Sequence, residues 1–263
     1  QTEQLISELG RDFEFTVIIA EDEAKAAGML NNYAAFDRNV RMYPARDPMF
    51  FKADIQGSYL SEQRTEVVRA VYEGTPTAIV TTLDAFYDEI ASISGIKESL
   101  ISIRTGDTVD IGDLAERLVK LGYEHESQVT GYGECSVRGN IIDIFPYASI
   151  VPYRLDLFGD EVESIKIFDT ESQRSVDSTD SMNIFPGGDG ESSGSRSTFL
   201  NYFDGKKTLF AVCEPVRILK GVMGLDTLTA DSGTDDMDIG SEISADRLNL
   251  AEKVLKDISG RSC

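Results

Sequence analysis

Residues 134–175 read ECSVRGNIIDIFPYASIVPYRLDLFGDEVESIKIFDTESQRS, and this stretch decides the fold. It is dense in Ile, Val, Phe and Tyr and broken by turn residues, the composition of short strands. Strands are predicted over 137–145, 153–158 and 162–168, with Gly159-Asp160 as a turn. The connections are too short to carry a helix, so the strands form an antiparallel meander and not a crossover unit.

The last hairpin fixes a register. A three-residue loop of Gly159, Asp160 and Glu161 sets Leu155 opposite Ile165 and Tyr153 opposite Ile167, giving one apolar face. A two-residue loop sets Leu155 against Ser164 and breaks the alternation. The other face then carries Arg154, Asp156 and Phe158, with Lys166, Ser164 and Val162 across from them. An Arg and a Phe flanking an Asp on the face expected to meet solvent admit two readings. One is a second covering layer, or a surface Phe shielded by its neighbours. The other is an Arg/aromatic hot spot for a protein partner.

Upstream, residues 13–20 (FEFTVIIA) suit a buried parallel strand, and Glu21-Asp22-Glu23 can start a helix over 24–34. A strand over 40–43 closes at Pro44. A helix over 61–72 follows, with Leu60, Val67, Val68 and Val71 on one face, then a strand over 78–82 and a short helix over 83–90. This alternation predicts a doubly wound α/β layer. From residue 100 the character changes: a strand over 100–104 precedes a helix capped by Asp110, striped with Leu114, Leu118 and Leu121 and stopped by Gly122.

Downstream, residues 187–197 (GGDGESSGSRS) read as a linker, and 208–214 (TLFAVCE) as a buried strand returning to the first sheet. Residues 231–238 form an acidic loop without calcium-loop spacing. Residues 245–258 are predicted as a helix with Leu248, Ala251, Val254 and Leu255 in its stripe.

Composition excludes several classes of function. The 25 basic and 46 acidic residues leave a net charge of −21, which opposes autonomous binding to phosphate backbones. No apolar run reaches the length of a membrane helix. Cys135, Cys213 and Cys263 lack metal-ligand spacing and suit a reducing cytoplasm. His125 is the one histidine, so a His-based metal site or triad has almost nothing to build on. The paired carboxylates Asp160/Glu161 and Asp235/Asp236 read as surface groups, since adjacent residues point apart.

At residues 138–146 (RGNIIDIFP), 152–161 (PYRLDLFGDE), 168–169 (FD) and 173–175 (QRS) the chain closely resembles the UvrB-homology module. That module is shared by the excision-repair helicase UvrB and the bacterial transcription-repair coupling factors (Mfd). PYRLD and SQRS look more like the coupling factors. The resemblance covers about residues 13–220 and implies an α/β fold: a degenerate RecA-like parallel-sheet layer with an inserted antiparallel α+β module. Residues 1–97 correspond to domain 1a of UvrB, 98–186 to domain 2, and 187–263 to a linker and domain 1b. A longer segment is expected in the family where the linker stands.

The resemblance further implies that the inserted module binds the damage-sensing ATPase UvrA. The family's binding positions fall on Arg138 (the Arg of RG), Arg154 (the Arg of PYR) and Phe158 (the Phe of L-D-x-F), the last two being the pair singled out on the solvent face; for Arg138, next to Gly139, the other reading is an ion-paired strand-end Arg. Asp143, Phe145 and Asp169 are assigned structural roles, Asp143 as a group that secures backbone or an arginine.

Chemistry is not expected. Nucleotide hydrolysis on a RecA-like layer needs G-x-x-x-x-G-K-[ST], and the Gly-rich stretches near Gly187 and Gly221 lack the Lys-Ser/Thr. The chain starts at Gln1, and the loop is expected either to be degenerate or to lie upstream. Tyr43, Phe50, Phe51 and Tyr59 are too few residues for UvrB's DNA-clamping hairpin and are expected to pack. The expectation is therefore a non-catalytic cytoplasmic adaptor without cofactor or metal. It would recruit UvrA to RNA polymerase stalled at damage, with polymerase and DNA reached only through other parts of the family protein. The alternative is a fragment of UvrB itself.

Overall fold

The computed structural model describes residues 2–45, 54–187 and 195–215, together with residues 218 and 256. The elements begin with α1 (Thr2–Gly10), β1 (Phe15–Ala20), α2 (Glu23–Tyr33), β2 (Val40–Tyr43), α3 (Asp54–Glu73), β3 (Thr77–Thr82) and α4 (Leu83–Tyr87). Next come β4 (Glu89–Ala91), α5 (Ile93–Ser99), β5 (Ile101–Arg104), α6 (Ile111–Lys120) and β6 (Glu124–His125). Then follow β7 (Glu134–Arg138), β8 (Ile141–Ile144), β9 (Tyr153–Phe158), β10 (Glu161–Phe168), β11 (Ser175–Thr179) and β12 (Ser181–Ile184). β13 (Arg196–Thr198) and β14 (Thr208–Val212) close the described order.

The chain divides into two compact units: 1–45, 74–87 and 203–263 in the first, 46–73 and 88–202 in the second. This division and the three-part plan read from the sequence partition the chain differently, since α3 and residues 88–97 go with the second unit.

In the first unit four parallel strands run in the order β14-β1-β3-β2. The apolar runs of β1 and β3 are buried at every position, as strands covered on both faces must be. One face packs Ile18, Ala20 and Val80 against Ile6, Ala26 and Tyr33. The other carries an aromatic cluster, with Phe203 at 5.8 Å from both Phe15 and Phe210, and Phe86 at 6.0 Å from Phe210. The expected return of the chain after the linker is observed: β14 pairs with β1 in parallel, Phe15 opposite Thr208.

In the second unit a six-stranded sheet runs β11-β10-β9-β8-β7-β6. Its apolar face packs Ile142, Leu155 and Ile165 against Leu114 and Leu118 of α6, whose first turn is capped by Asp110 accepting from the Asp113 amide at 2.9 Å. β5 and β12 pair antiparallel, Ile101 opposite Ile184, so the chain enters and leaves the module at neighbouring points. Tyr147 donates to the Gly122 carbonyl at 2.8 Å and presses on Gly133, where a Cβ would fall 2.2 Å from its ring.

Two details correct the sequence expectations. The run 137–145 is not one strand. Gly139, at φ +62°, and Asn140 turn the chain between β7 and β8, with Arg138 opposite Ile141. The β9–β10 pairing does place Leu155 opposite Ile165 and Tyr153 opposite Ile167, but the loop is a two-residue Gly159-Asp160 turn. A register shift between Val162 and Ser164 restores the alternation, so Phe158 faces Glu161 instead of Val162, and Val162 turns into the core.

Apart from residue 256, the helix expected over 245–258 lies outside the described residues, as do the acidic loop at 231–238 and most of the linker. The β4–β13 pair and α1 were not anticipated.

Candidate recognition face

The outer face of the six-stranded sheet carries the residues singled out by the sequence. Across β8, β9, β10 and β11, Asp143, Arg154, Lys166 and Ser178 stand in one row. Ile141, Asp156 and Ser164 form the next row, with Arg138 opposite Ile141 at the end of β7.

Asp143 is fully buried and organises the row. Its Oδ1 accepts from Arg154 Nε at 2.6 Å and its Oδ2 from Arg154 Nη2 at 2.8 Å, a bidentate pair. Arg138 Nη2 donates to the same Oδ2. One carboxylate thus serves two guanidinium groups. The structural role assigned to Asp143 from its place in the motif is the one observed.

Arg154 is held on every side. Its Nη1 donates to the Gln173 carbonyl at 3.0 Å, and its guanidinium carbon lies 4.7 Å from the centroid of the Phe168 ring. The hydrogen bonds to Asp143 raise its pKa above the usual guanidinium value, against the opposing effect of burial. The exposed fraction of its side chain is 14%, against 44% for Arg138.

The 169–174 loop brings the Gln173 carbonyl to this position. Asp169 Oδ1 accepts from the Ser172 amide at 2.8 Å and the Ser172 hydroxyl at 2.7 Å, which holds the Asp169 carboxyl below its ordinary range. The Gln173 amide donates to the Asp169 carbonyl, and the Gln173 side chain donates to the carbonyls of Val129 and Thr170. Gln173 takes φ +59°, a left-handed conformation uncommon for a residue with a side chain. The sequence drew attention to QRS only as a resemblance; its contact with Arg154 was not foreseen. Backbone conformation of this kind leaves little local signal.

The outer face is covered over one half and open over the other. At one end Val129, Phe145 and Phe168, with Tyr132 packed against them, form a small second core, and Arg154 lies on its edge. That half has a covering layer. At the other end Phe158 is 79% exposed on the hairpin tip. The tip is pinned from behind: the Gly106 amide donates to the Val162 carbonyl at 2.8 Å, the Val109 amide to Asp160 at 2.7 Å, and the Val162 amide to Asp107 at 2.9 Å. Next to it Asn140, Ile141, Asp156, Glu163, Ser164 and Lys166 line a depression, within which Lys166 Nζ pairs with Asp156 at 2.5 Å.

The structure therefore joins Arg138, Asp143 and Arg154 in one network and sets Phe158 apart on a braced tip. Other candidates lie elsewhere. Tyr43 is buried in the first unit and Tyr59 is exposed, while Phe50 and Phe51 lie outside the described residues. Asp160 and Glu161 are exposed at the turn, and Asp235 and Asp236 fall outside the described residues. Cys135 is buried, which pushes its thiol up to about 11. Among the described residues no group of His, Cys, Asp and Glu could hold a metal ion, and no helix is long and apolar enough to cross a membrane.

Residues 101–189 match the family model described as the UvrB interaction domain. The chain is similar to transcription-repair-coupling factors. That of Bacillus subtilis (strain 168) is 35% identical over 150 residues, 57% of this chain and 13% of the relative. That of Staphylococcus epidermidis (strain ATCC 12228 / FDA PCI 1200) is 33% identical over 148 residues, 56% of this chain and 13% of the relative. The matched part thus spans about one-eighth of the length of these relatives. The resemblance read from the motifs is borne out, as is the mixed α/β fold with a parallel sheet and antiparallel sheets.

Proposed function

We propose that this chain is the adaptor region of a transcription-repair coupling factor, binding UvrA through Arg138, Arg154 and Phe158. It thereby recruits nucleotide excision repair to RNA polymerase stalled at DNA damage, in the cytoplasm. Residues 98–186 are the UvrA-binding module. The observation that supports this most is the exposed Phe158 on a braced hairpin tip, on the same face as a guanidinium that is half open to solvent. Aromatic and Arg anchors of this kind dominate protein interfaces.

In this reading the region is not itself a catalyst. The connection after β1 is acidic, and the first turn of α2 already has its own carboxylate, with Asp22 Oδ1 accepting from the Lys25 amide at 2.7 Å. Such a helix end disfavours phosphate. DNA and polymerase are engaged by other parts of the parent protein, consistent with the net charge of −21 here.

The test is binding of the purified chain to UvrA by surface plasmon resonance, beside Arg154→Ala and Phe158→Ala proteins with verified folding. Each substitution is expected to cost about 2 kcal/mol or more of binding. A folded wild-type chain that does not bind UvrA overturns the reading; binding that survives both substitutions moves the interface elsewhere.

A further inference from the structure

The two arginines of the face are not equivalent. Arg154 uses Nε, Nη1 and Nη2 within the module and lies on Phe168, so its guanidinium is committed. Arg138 is tied at Nη2 alone; the rest of its guanidinium makes no hydrogen bond among the described residues, and its side chain is 44% exposed. Asp143 lies between them, wholly buried, with both oxygens turned to the outer face.

We propose that Asp143 is a positioning residue of the recognition face: through it the locked Arg154 aims the Arg138 guanidinium at a carboxylate of the partner, while Phe158 enters an apolar socket beside it. The inference rests on the UvrA reading and divides its three residues into two contacts, Arg138 and Phe158, and one buttress, Arg154. Two physical points carry it. An Arg at a strand end next to a glycine turn samples many rotamers, and a shared carboxylate backed by a second, immobile Arg removes that freedom. In addition, two cations sharing one anion leave a net positive charge. Asp143 therefore orients Arg138 without neutralising it, and a chain of net charge −21 retains a local site for an acidic group.

The experiment is a double-mutant cycle read by calorimetric titration of UvrA into wild type, Asp143→Asn, Arg138→Ala and the double variant, with folding checked for each. Asp143→Asn and Arg138→Ala are each expected to weaken binding by about tenfold or more, and the double variant to be no weaker than Arg138→Ala alone. Losses that multiply in the double variant overturn the inference, as does wild-type affinity in folded Asp143→Asn. Should Asp143→Asn not fold, Asp143→Leu/Arg154→Met replaces the buried pair by apolar groups while keeping Arg138. In that background Arg138→Ala is expected to change nothing further, and a loss equal to that in wild type overturns the proposal. Absence of binding by the wild-type chain is the separate failure of the UvrA reading, and the inference falls with it.

Discussion

Removing the Asp143 carboxylate leaves two cations without their shared partner at once. Asp143→Ala is expected to lower stability by about 3–5 kcal/mol, toward the lower end because Arg138 is open to water. Chemical denaturation compared with wild type checks this. Phe158→Ala should behave in the opposite way: a side chain 79% exposed contributes little to folding, so the denaturation midpoint should stay within experimental error while partner binding falls. At this scale the sequence was informative where chemistry and period agreed. Phe158 on an outward position and Asp143 between two arginines in the motif were both legible. The burial of Arg154 was not, because its cover is assembled from Phe168 at the end of β10, Val129 from a loop before β7 and the Gln173 carbonyl from the 169–174 loop.

Among the elements, the hairpins taught the most. The apolar run 137–145 reads as one strand because Ile141 and Ile142 continue it, yet Gly139 reverses the chain and makes two. Periodicity sees composition, and a two-residue turn occupies too little of it. In the β9–β10 hairpin the pairing of Leu155 with Ile165 was legible from the need to keep one face apolar. The mechanism was not, since a bulge and a longer loop satisfy the same alternation. Gly133 is a sharper constraint. With φ +77° and the Tyr147 ring against it, Gly133→Ala must both strain the backbone and displace a buried ring. A loss of about 2–4 kcal/mol is expected, measurable as a lowered urea midpoint.

At the scale of the whole molecule, Ile18 and Val80 lie in a buried cluster of the first unit, and Ile142 and Leu155 in one of the second. Calorimetry should show two transitions. Leu155→Ala and Ile18→Ala, each costing about 2–5 kcal/mol, should each lower a different one. A single transition lowered equally by both would refute independent cores. The acid response should carry a signature of Glu62 on α3, whose pKa is raised from 4.5 by burial first and by Glu66 second, against the lowering bond from Tyr132. The protonated form is favoured in the folded state. Its contribution is therefore full below 4.5 and lost as pH rises through the raised value. Glu62→Gln should remove that part of the decline, as seen in denaturation midpoints measured across mildly acidic pH.

The lock on Arg154 has a consequence for the thermodynamics of association. An arginine side chain carries about 2 kcal/mol of rotamer entropy, which a docking event on an ordinary surface must remove. Here the Asp143 pair, the Gln173 carbonyl and the Phe168 ring remove it before any partner arrives. A partner docking on this face would meet charges already in place. Releasing the 169–174 loop should make the entropy of binding less favourable even where Arg138 and Phe158 are untouched.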